Sequence, residues 1–369
     1  MPALVTYSDF LKATKVAKIT GPEEILNEAT KRTYLFSEML RGKGPDEILQ
    51  AGQSIKDTIQ LTDAGTFQFY SPNPEFNPTD DDILTDTTLG WRFCVTNYGF
   101  SDETIELNNG SSVDVYVRLK KKYAQGQKTD MWNGMENALW ATPDSASMED
   151  GTGDNPPFFS IPALVNESDT YAWPGFTTLH GVNFTNEERW RVQRATYNSL
   201  NKAGEEDGIL PAFDDMWLKV KFESPDGASE YWENDRLRQM KIFTNRDGIK
   251  TYKRLLRGGN DNFISPQDPA YNSPVYAGIP LKYIEKLDTA TLEISGSTAT
   301  GNAYPAGKPR YLWLNMQYLV PVFHAKAYMQ QVGPIPGGIN SPFSHAVYHR
   351  NWLNIFCRSR QRQGIVYPA

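Results

Sequence analysis

The sequence predicts a mixed α+β protein, and three observations carry that prediction. Two extended segments early in the chain flank a long polar excursion, a central stretch keeps helical spacing over many turns, and a strongly strand-like apolar run lies near the end. No strand-helix unit recurs, so neither a barrel nor a doubly wound sheet is expected, and no repeat with a period of about 20 to 50 residues is present.

Residues 21–41 open on Gly-Pro and acidic residues and close on basic ones before a Gly, which predicts a helix with favourable terminal charges. Its apolar positions Ile25, Leu26, Tyr34, Leu35 and Leu40 leave the packing face open. Residues 54–70 alternate at Ile59 and Leu61 and again at Phe67 and Phe69. After the turn-rich SPNPEFNPTDDD, the chain resumes with TTLGWRFCVTNYGF, where Leu89, Trp91 and Phe93 are expected on one strand face. These two segments predict a projecting hairpin. In residues 112–140, Val113, Tyr116, Val117 and Tyr123 define a helical face that Met131, Met135, Ala138 and Leu139 continue. Gly126 and Gly134 weaken the register, so one long helix and two collinear ones both remain open.

The acidic, Gly- and Pro-rich stretch 143–157 is expected to be a boundary or exposed loop. Thr185 followed by Glu188 predicts a capped helix running through Trp190 and Tyr197, and residues 209–220 predict another. RQMKIFTNRDGIKTYKRLL, residues 238–256, predicts a strand and then a capped helix with Ile249, Tyr252, Leu255 and Leu256 on its apolar face. A bulge or turn is expected within VYAGIPLKYIEKLD. YLWLNMQYLVPVFHAKAYMQQ starts as strand, with Pro321 required at an edge, a boundary or a bulge.

Composition narrows the function classes. With 39% hydrophobic, 22% charged and 12% aromatic residues in 369, the chain is a folded protein with room for substantial cores. Its formal net charge of -7 gives no global attraction to nucleic acid. Cys94 and Cys357 sit in apolar or aromatic surroundings and read as buried thiols, not a disulfide framework. MPALVTYSDF has no secretory pattern and no apolar stretch is long enough to span a bilayer, so no membrane association is expected.

Chemical constellations are sparse. Of the four histidines, His180, His324, His345 and His349, the last two stand four apart, a spacing that suits metal ligands on a helix, but NSPFSHAVYHRNW lacks an HExxH arrangement. No metal, no cofactor and no catalytic residue is therefore assigned. Nucleophile-elbow, phosphate-loop and dinucleotide fingerprints are all missing. Asp80, Asp81 and Asp82 read as a solvated acidic turn or as one side of an inter-subunit ion pair. Lys120, Lys121 and Lys122 fan out around a helix and read as a solvated face, as partners of an acidic segment on another copy, or as contacts to nucleic acid. Phe67, Phe69, Trp91 and Phe93 put apolar surface on a segment expected to project; local hairpin packing and burial against a neighbouring copy both account for it.

The order of these features resembles the major capsid proteins of tailed bacteriophages, whose architecture is the Hong Kong 97-like fold. WNGMENALWATP, FFSIPALV, FTNRDGIKTYKRLL, GIPLKYIEKLD and YLWLNMQYLVPVFHAKAYM carry the local likeness. The resemblance implies an N-terminal arm over residues 1–50, an extended hairpin loop over 51–108, and a long spine helix with the start of a peripheral domain over 109–157. It implies a mainly axial domain with peripheral returns over 158–320 and a C-terminal peripheral or interface segment over 321–369. It further implies hexamers and pentamers of the chain closing an icosahedral shell around double-stranded DNA without sequence-specific binding. Portal and scaffold or cement proteins are implied partners, with assembly in the host bacterial cytoplasm and residence in the virion. Phe67, Phe69, Asp80, Asp81, Asp82, Trp91, Phe93, Lys120, Lys121 and Lys122 become candidate inter-subunit contacts, and no enzymatic activity is expected. A nanocompartment shell of the same fold is the competing reading; a carbohydrate or ester hydrolase is the competitor of a different class.

Overall fold

In the computed structural model the described residues are 35–41, 43–44, 48–61, 84–101, 103, 113–152, 155–168, 173–198, 208–220, 239–259, 274–288, 304, 309–336 and 343–369, and the side chains of 113–123 and 256–259 are not among them. In chain order the elements begin with α1 (Leu35–Leu40), β1 (Leu49–Gln50), β2 (Ile55–Gln60), β3 (Leu84–Leu89), β4 (Arg92–Ser101) and α2 (Val113–Trp140). There follow α3 (Ser145–Met148), α4 (Ile161–Leu164), β5 (Gln193–Tyr197), α5 (Ile209–Val220), β6 (Met240–Thr244), α6 (Arg246–Gly259), β7 (Val275–Tyr276) and β8 (Ile279–Tyr283). The chain closes with β9 (Tyr311–Asn315), β10 (Leu319–His324), β11 (Gln330–Pro336), β12 (Ser344–Cys357) and β13 (Gly364–Pro368).

These strands form two main sheets and a ribbon. In the first sheet β12 is the axis: it pairs antiparallel with β10 and β11 along one side and with β4 along the other, and β1 adds in parallel to β10. The second sheet runs β5-β13-β9-β6-β8-β7. β2 and β3 form the two-stranded ribbon. Pro321 lies in β10 where β1 no longer pairs, since β1 bonds only at Phe323 and His324, and such an edge position tolerates the missing N–H.

The second sheet is filled on both faces because its central strands are apolar at successive positions. Met240 and Ile242 of β6, Tyr311 and Trp313 of β9, and Val366 of β13 pack under α5 and α6. The alternating residues Phe243, Leu312, Leu314 and Ile365 point the other way into a larger core shared with α1, α2 and the first sheet. Helix α2 is continuous; a methyl group at Gly126 or Gly134 would meet nothing within 4 Å, so those glycines weaken helix propensity without marking a break.

Helix α1 is a short bolt between these parts. The Glu136 carboxylate of α2 accepts hydrogen bonds from Leu35 N (3.0 Å), Phe36 N (3.4 Å) and Trp140 Nε1 (3.1 Å), satisfying donors at the start of α1. Burial pushes the Glu136 carboxyl above its ordinary value, against the pull of those bonds. Glu38, on α1 itself, is buried between Lys241 of β6 and Lys282 of β8. Burial would raise its carboxyl, but the two ammonium groups outweigh that and hold it below the ordinary value.

One local expectation is corrected. The helix expected from Thr185 through Trp190 and Tyr197 is instead a single 3-10 turn, Glu188–Trp190, followed by β5, whose residues pair in parallel with β13. A local capping pattern cannot reveal that distant partner, and the sheet decides the outcome. His345 and His349 lie on β12, where four residues separate them by about 13 Å, in keeping with the assignment of no metal to them. His349 is instead hydrogen-bonded to Gln127, and His345 stacks on Phe100 at 5.6 Å.

Candidate assembly surfaces

The ribbon is built from complementary faces. Ile55 opposite Leu89 and Asp57 opposite Thr87 look toward the body of the protein, whereas Lys56, Thr58, Gln60, Leu84, Asp86 and Thr88 are exposed. Thr87 Oγ1 donates to Asp57 O (2.8 Å), Thr58 Oγ1 donates to Asp86 (3.0 Å), and Arg358 bonds Asp57 (3.0 Å), tying the ribbon to the end of β12.

The root of the ribbon is clamped by a second turn. Leu179 and Val182 bridge around His180 and Gly181, both with positive φ (55° and 79°), as a tight two-residue hairpin turn requires. His180 O accepts from Thr88 N (3.4 Å) at the end of β3. Glu149 accepts from Gly181 N (2.8 Å), His180 N (3.3 Å) and Thr178 Oγ1 (3.3 Å), and Arg92, just past the root, donates to Met148 O (2.6 Å). A side chain at Gly151 would stand 2.8 Å from the Arg92 guanidinium, and φ there is +70°, so glycine is needed on both counts. The His180 ring lies between Phe356, stacked at 5.2 Å, and Phe159, edge-on at 4.8 Å; burial first and Arg360 second push its pKa down to about 3, which keeps it neutral.

The chain does not continue from β3 as one uninterrupted strand, which corrects the expectation that Leu89, Trp91 and Phe93 share a face. Pairing changes partner at Gly90–Trp91: β3 pairs with β2, and β4 pairs with β12. Trp91 turns into the protein interior, 8% exposed, with Nε1 donating to Gly52 O (3.0 Å) and its ring edge-on to His324 at 5.1 Å. Phe93 turns outward and is 65% exposed, as is Val95.

Around Phe93 and Val95 the outer face of the first sheet is aromatic. Phe93 stands opposite Trp352 with ring centroids 5.1 Å apart, Trp352 meets His324 at 5.0 Å, and the Arg350 guanidinium lies 5.7 Å from the Trp352 ring. The opposite face carries polar residues buried against α2: Gln127 donates to Thr96 O (2.8 Å) and Val347 O (3.2 Å), and Asn351 reaches the Met135 sulfur at 3.4 Å. The usual apolar-in, polar-out cue is therefore inverted on β12. Sequence reading passed over Val95, Tyr348, Arg350 and Trp352 for that reason; the period-two spacing of Tyr348, Arg350 and Trp352 was the available signal.

Of the other sequence candidates, Phe67, Phe69, Asp80, Asp81 and Asp82 lie outside the described residues. Lys120, Lys121 and Lys122 occupy consecutive positions of α2, with side chains also outside them. Among the described residues no group of three or more His, Cys, Asp or Glu could hold a metal ion, and no helix is long and apolar enough to cross a membrane. Cys94 and Cys357 are free thiols, and burial pushes them up to about 12 and about 11.

Two sheets, a long helix beneath the first, a helical layer over the second and a ribbon at the flank make a mixed α+β protein. Solved structures share that fold over nearly the whole chain. A cyanophage A-1(L) capsid asymmetric unit matches with TM-score 0.55 and 12% identity, covering 94% of this chain and 96% of that one. The capsid of a native GTA particle matches with TM-score 0.53 and 9% identity over 94% and 95% of the two chains. A chain of Mycobacterium phage Bobi matches with TM-score 0.51 and 11% identity over 99% of both. The chain thus shares the fold of these structures, a mixed α+β architecture consistent with the Hong Kong 97-like fold. No family model matches the sequence, and no curated protein matches it.

Proposed function

We propose that this chain is the repeating subunit of a closed shell, a major capsid protein that assembles as hexamers and pentamers around double-stranded DNA. The observation that carries the reading is the agreement in fold with capsid chains over 94% of this chain. A side-to-side role for the subunit is supported by Phe93 and Val95, each 65% exposed on an aromatic sheet face, because apolar surface of this kind is what a neighbouring copy buries.

In this reading residues 1–50 act as the arm, 51–108 as the extended loop with the β2–β3 ribbon at its root, although β4 within that span belongs to the first sheet, and α2 acts as the spine. The second sheet with α5 and α6 is the axial domain, and 321–369 return through the peripheral region, although that last segment contributes strands to both sheets. Portal and scaffold or cement proteins are its further partners, host cytoplasm is where it assembles, and the virion is where it resides. Its role is structural and not enzymatic. A net charge of -7 suits a container that confines DNA without gripping it along its length.

Negative-stain microscopy of the purified full chain across a range of salt concentrations tests the proposal. Closed shells or ring-shaped capsomers are expected. Monomers or small oligomers under every condition overturn it, and small closed shells loaded with a co-purifying enzyme transfer the chain to the nanocompartment class.

A further inference from the structure

One feature outside the assembly surfaces is strongly charged. Helix α6 packs its inner face tightly on the second sheet: Tyr252 stacks on Phe213 at 5.9 Å and donates to Val275 O (2.9 Å), and Tyr311 donates to Gly248 O (3.2 Å). A methyl group at Gly248 would come within 2.0 Å of Thr244 Oγ1, so the helix start is seated directly on β6. Its first turn is held by Asn245, which accepts from Gly248 N (2.8 Å), and by Asp288, which accepts from Arg246 N (3.1 Å). The outer face is basic. Arg246, Lys250 and Lys253 recur at i, i+4 and i+7, one stripe about 10 Å long, and Arg254 extends it.

Among the described residues few carboxylates stand near this stripe, and Asp288, at the helix start, is engaged by Arg246 N (3.1 Å) and Tyr283 Oη (2.7 Å). The exposed carboxylate on α6 itself is Asp247, 3.8 Å from Lys250 with both side chains more than half exposed, a loose pair of little strength. On the adjoining α5, Asp215 is paired with Lys219 at 2.6 Å and Asp214 accepts from Tyr276. The same α5 surface on a second copy would therefore offer few uncommitted carboxylates. A rigid row of cations on a chain of net charge -7 fits a polyanion with regularly spaced charges.

We infer that the outer stripe of α6, centred on Arg246, Lys250 and Lys253, is a contact site for the phosphate backbone of duplex DNA. At about 3.4 Å of rise per base pair the stripe is as long as about three steps of the duplex axis, and a helix lying flat on a sheet presents no side chain to the base edges, so recognition is independent of sequence. The choice of DNA as the polyanion rests on the shell reading above; the charge geometry does not.

The test compares the full-length wild-type chain, the triple variant Arg246→Gln/Lys250→Gln/Lys253→Gln, and a control with the same charge loss at the exposed residues Lys56, Lys219 and Lys326, each changed to Gln. Binding of a random-sequence DNA duplex is measured by fluorescence anisotropy over a salt series, folding is checked by thermal melting, and assembly by microscopy. The α6 variant should bind about tenfold or more weaker at low salt and lose about two to three from the slope of log K against log salt, with melting and shell formation retained. Equal losses in variant and control, or no binding by the wild type, overturn the inference while leaving the shell proposal to its own test. Loss of assembly with unchanged duplex binding also overturns it and makes the stripe a contact between copies. Absence of shells from the wild type, with the α6-specific loss of binding intact, overturns the shell reading and keeps the site.

Discussion

The two sheets treat their faces in opposite ways. The central strands of the second sheet, β6 and β9, are buried at every position, with the helical layer on one side and the common core on the other. The first sheet buries polar His349 and Asn351 against α2 and shows Phe93 and Val95 to the outside. Among the described residues the second sheet is covered on both faces while the first keeps Phe93 and Val95 exposed, so in the shell reading proposed above stability and association fall on different sheets. An interior that is complete tolerates no change of volume, whereas an uncovered face can be altered without cost to the fold.

The largest expected effect falls on the finished sheet. Phe213 of α5 touches Tyr252, Tyr276, Tyr311 and Trp313, so Phe213→Ala removes the centre of that aromatic cluster. A loss of about 3 to 5 kcal/mol in equilibrium unfolding is expected. A change below about 1 kcal/mol would show that α5 and α6 are not a load on that sheet and would remove one side of the contrast.

Next in size is the bolt that joins the two sheets. Replacing Glu38 with Gln leaves Lys241 and Lys282 facing an uncharged group, at a cost of about 3 kcal/mol at neutral pH. The folded carboxyl lies below its ordinary value of 4.5, so its stabilisation is present in full above the unfolded value and is lost as pH falls through the folded one. Glu38→Gln should therefore flatten the acid side of the stability profile measured by denaturant titration. Glu136 has the opposite sign: its carboxyl is raised, so its contribution improves as pH falls toward the unfolded value, and Glu136→Gln should leave the acid limb of the Glu38 effect in place.

How much of this was legible in the sequence follows the same division. Helices α5 and α6 and strands β6, β9 and β10 were readable because their own periodicity agrees with what they pack against. Strand β5 was not, because its identity comes from pairing with residues 364–368, while the local Thr185–Glu188 pattern favours a helix. Phe93, expected on the hairpin, is exposed on β4 of the first sheet instead, since nothing local announces that pairing changes partner at Gly90–Trp91. Trp91, expected on the same face, is held in the protein interior by Gly52 and His324. Val95, Arg350 and Trp352 escaped notice because the polar residues of β12 are the buried ones, anchored by Gln127 and Met135, and composition alone assigns them to the surface.

The smallest expected effect on folding carries the most information about function. Phe93→Ser combined with Val95→Ser removes exposed apolar surface and no buried contact partner except the outer edge of Trp352, so the melting temperature should stay within about 2 to 4 °C of wild type. Assembly, followed by light scattering and microscopy, should fall sharply, because polar side chains in the middle of an interface leave desolvated hydroxyls in place of packed rings. Trp91→Ala provides the internal contrast: it should lower subunit stability by about 3 kcal/mol, with any assembly defect following from that loss. If instead the double serine variant assembles like wild type, the open face of the first sheet is not where copies meet, and the distinction between a finished sheet and an unfinished one has no functional content.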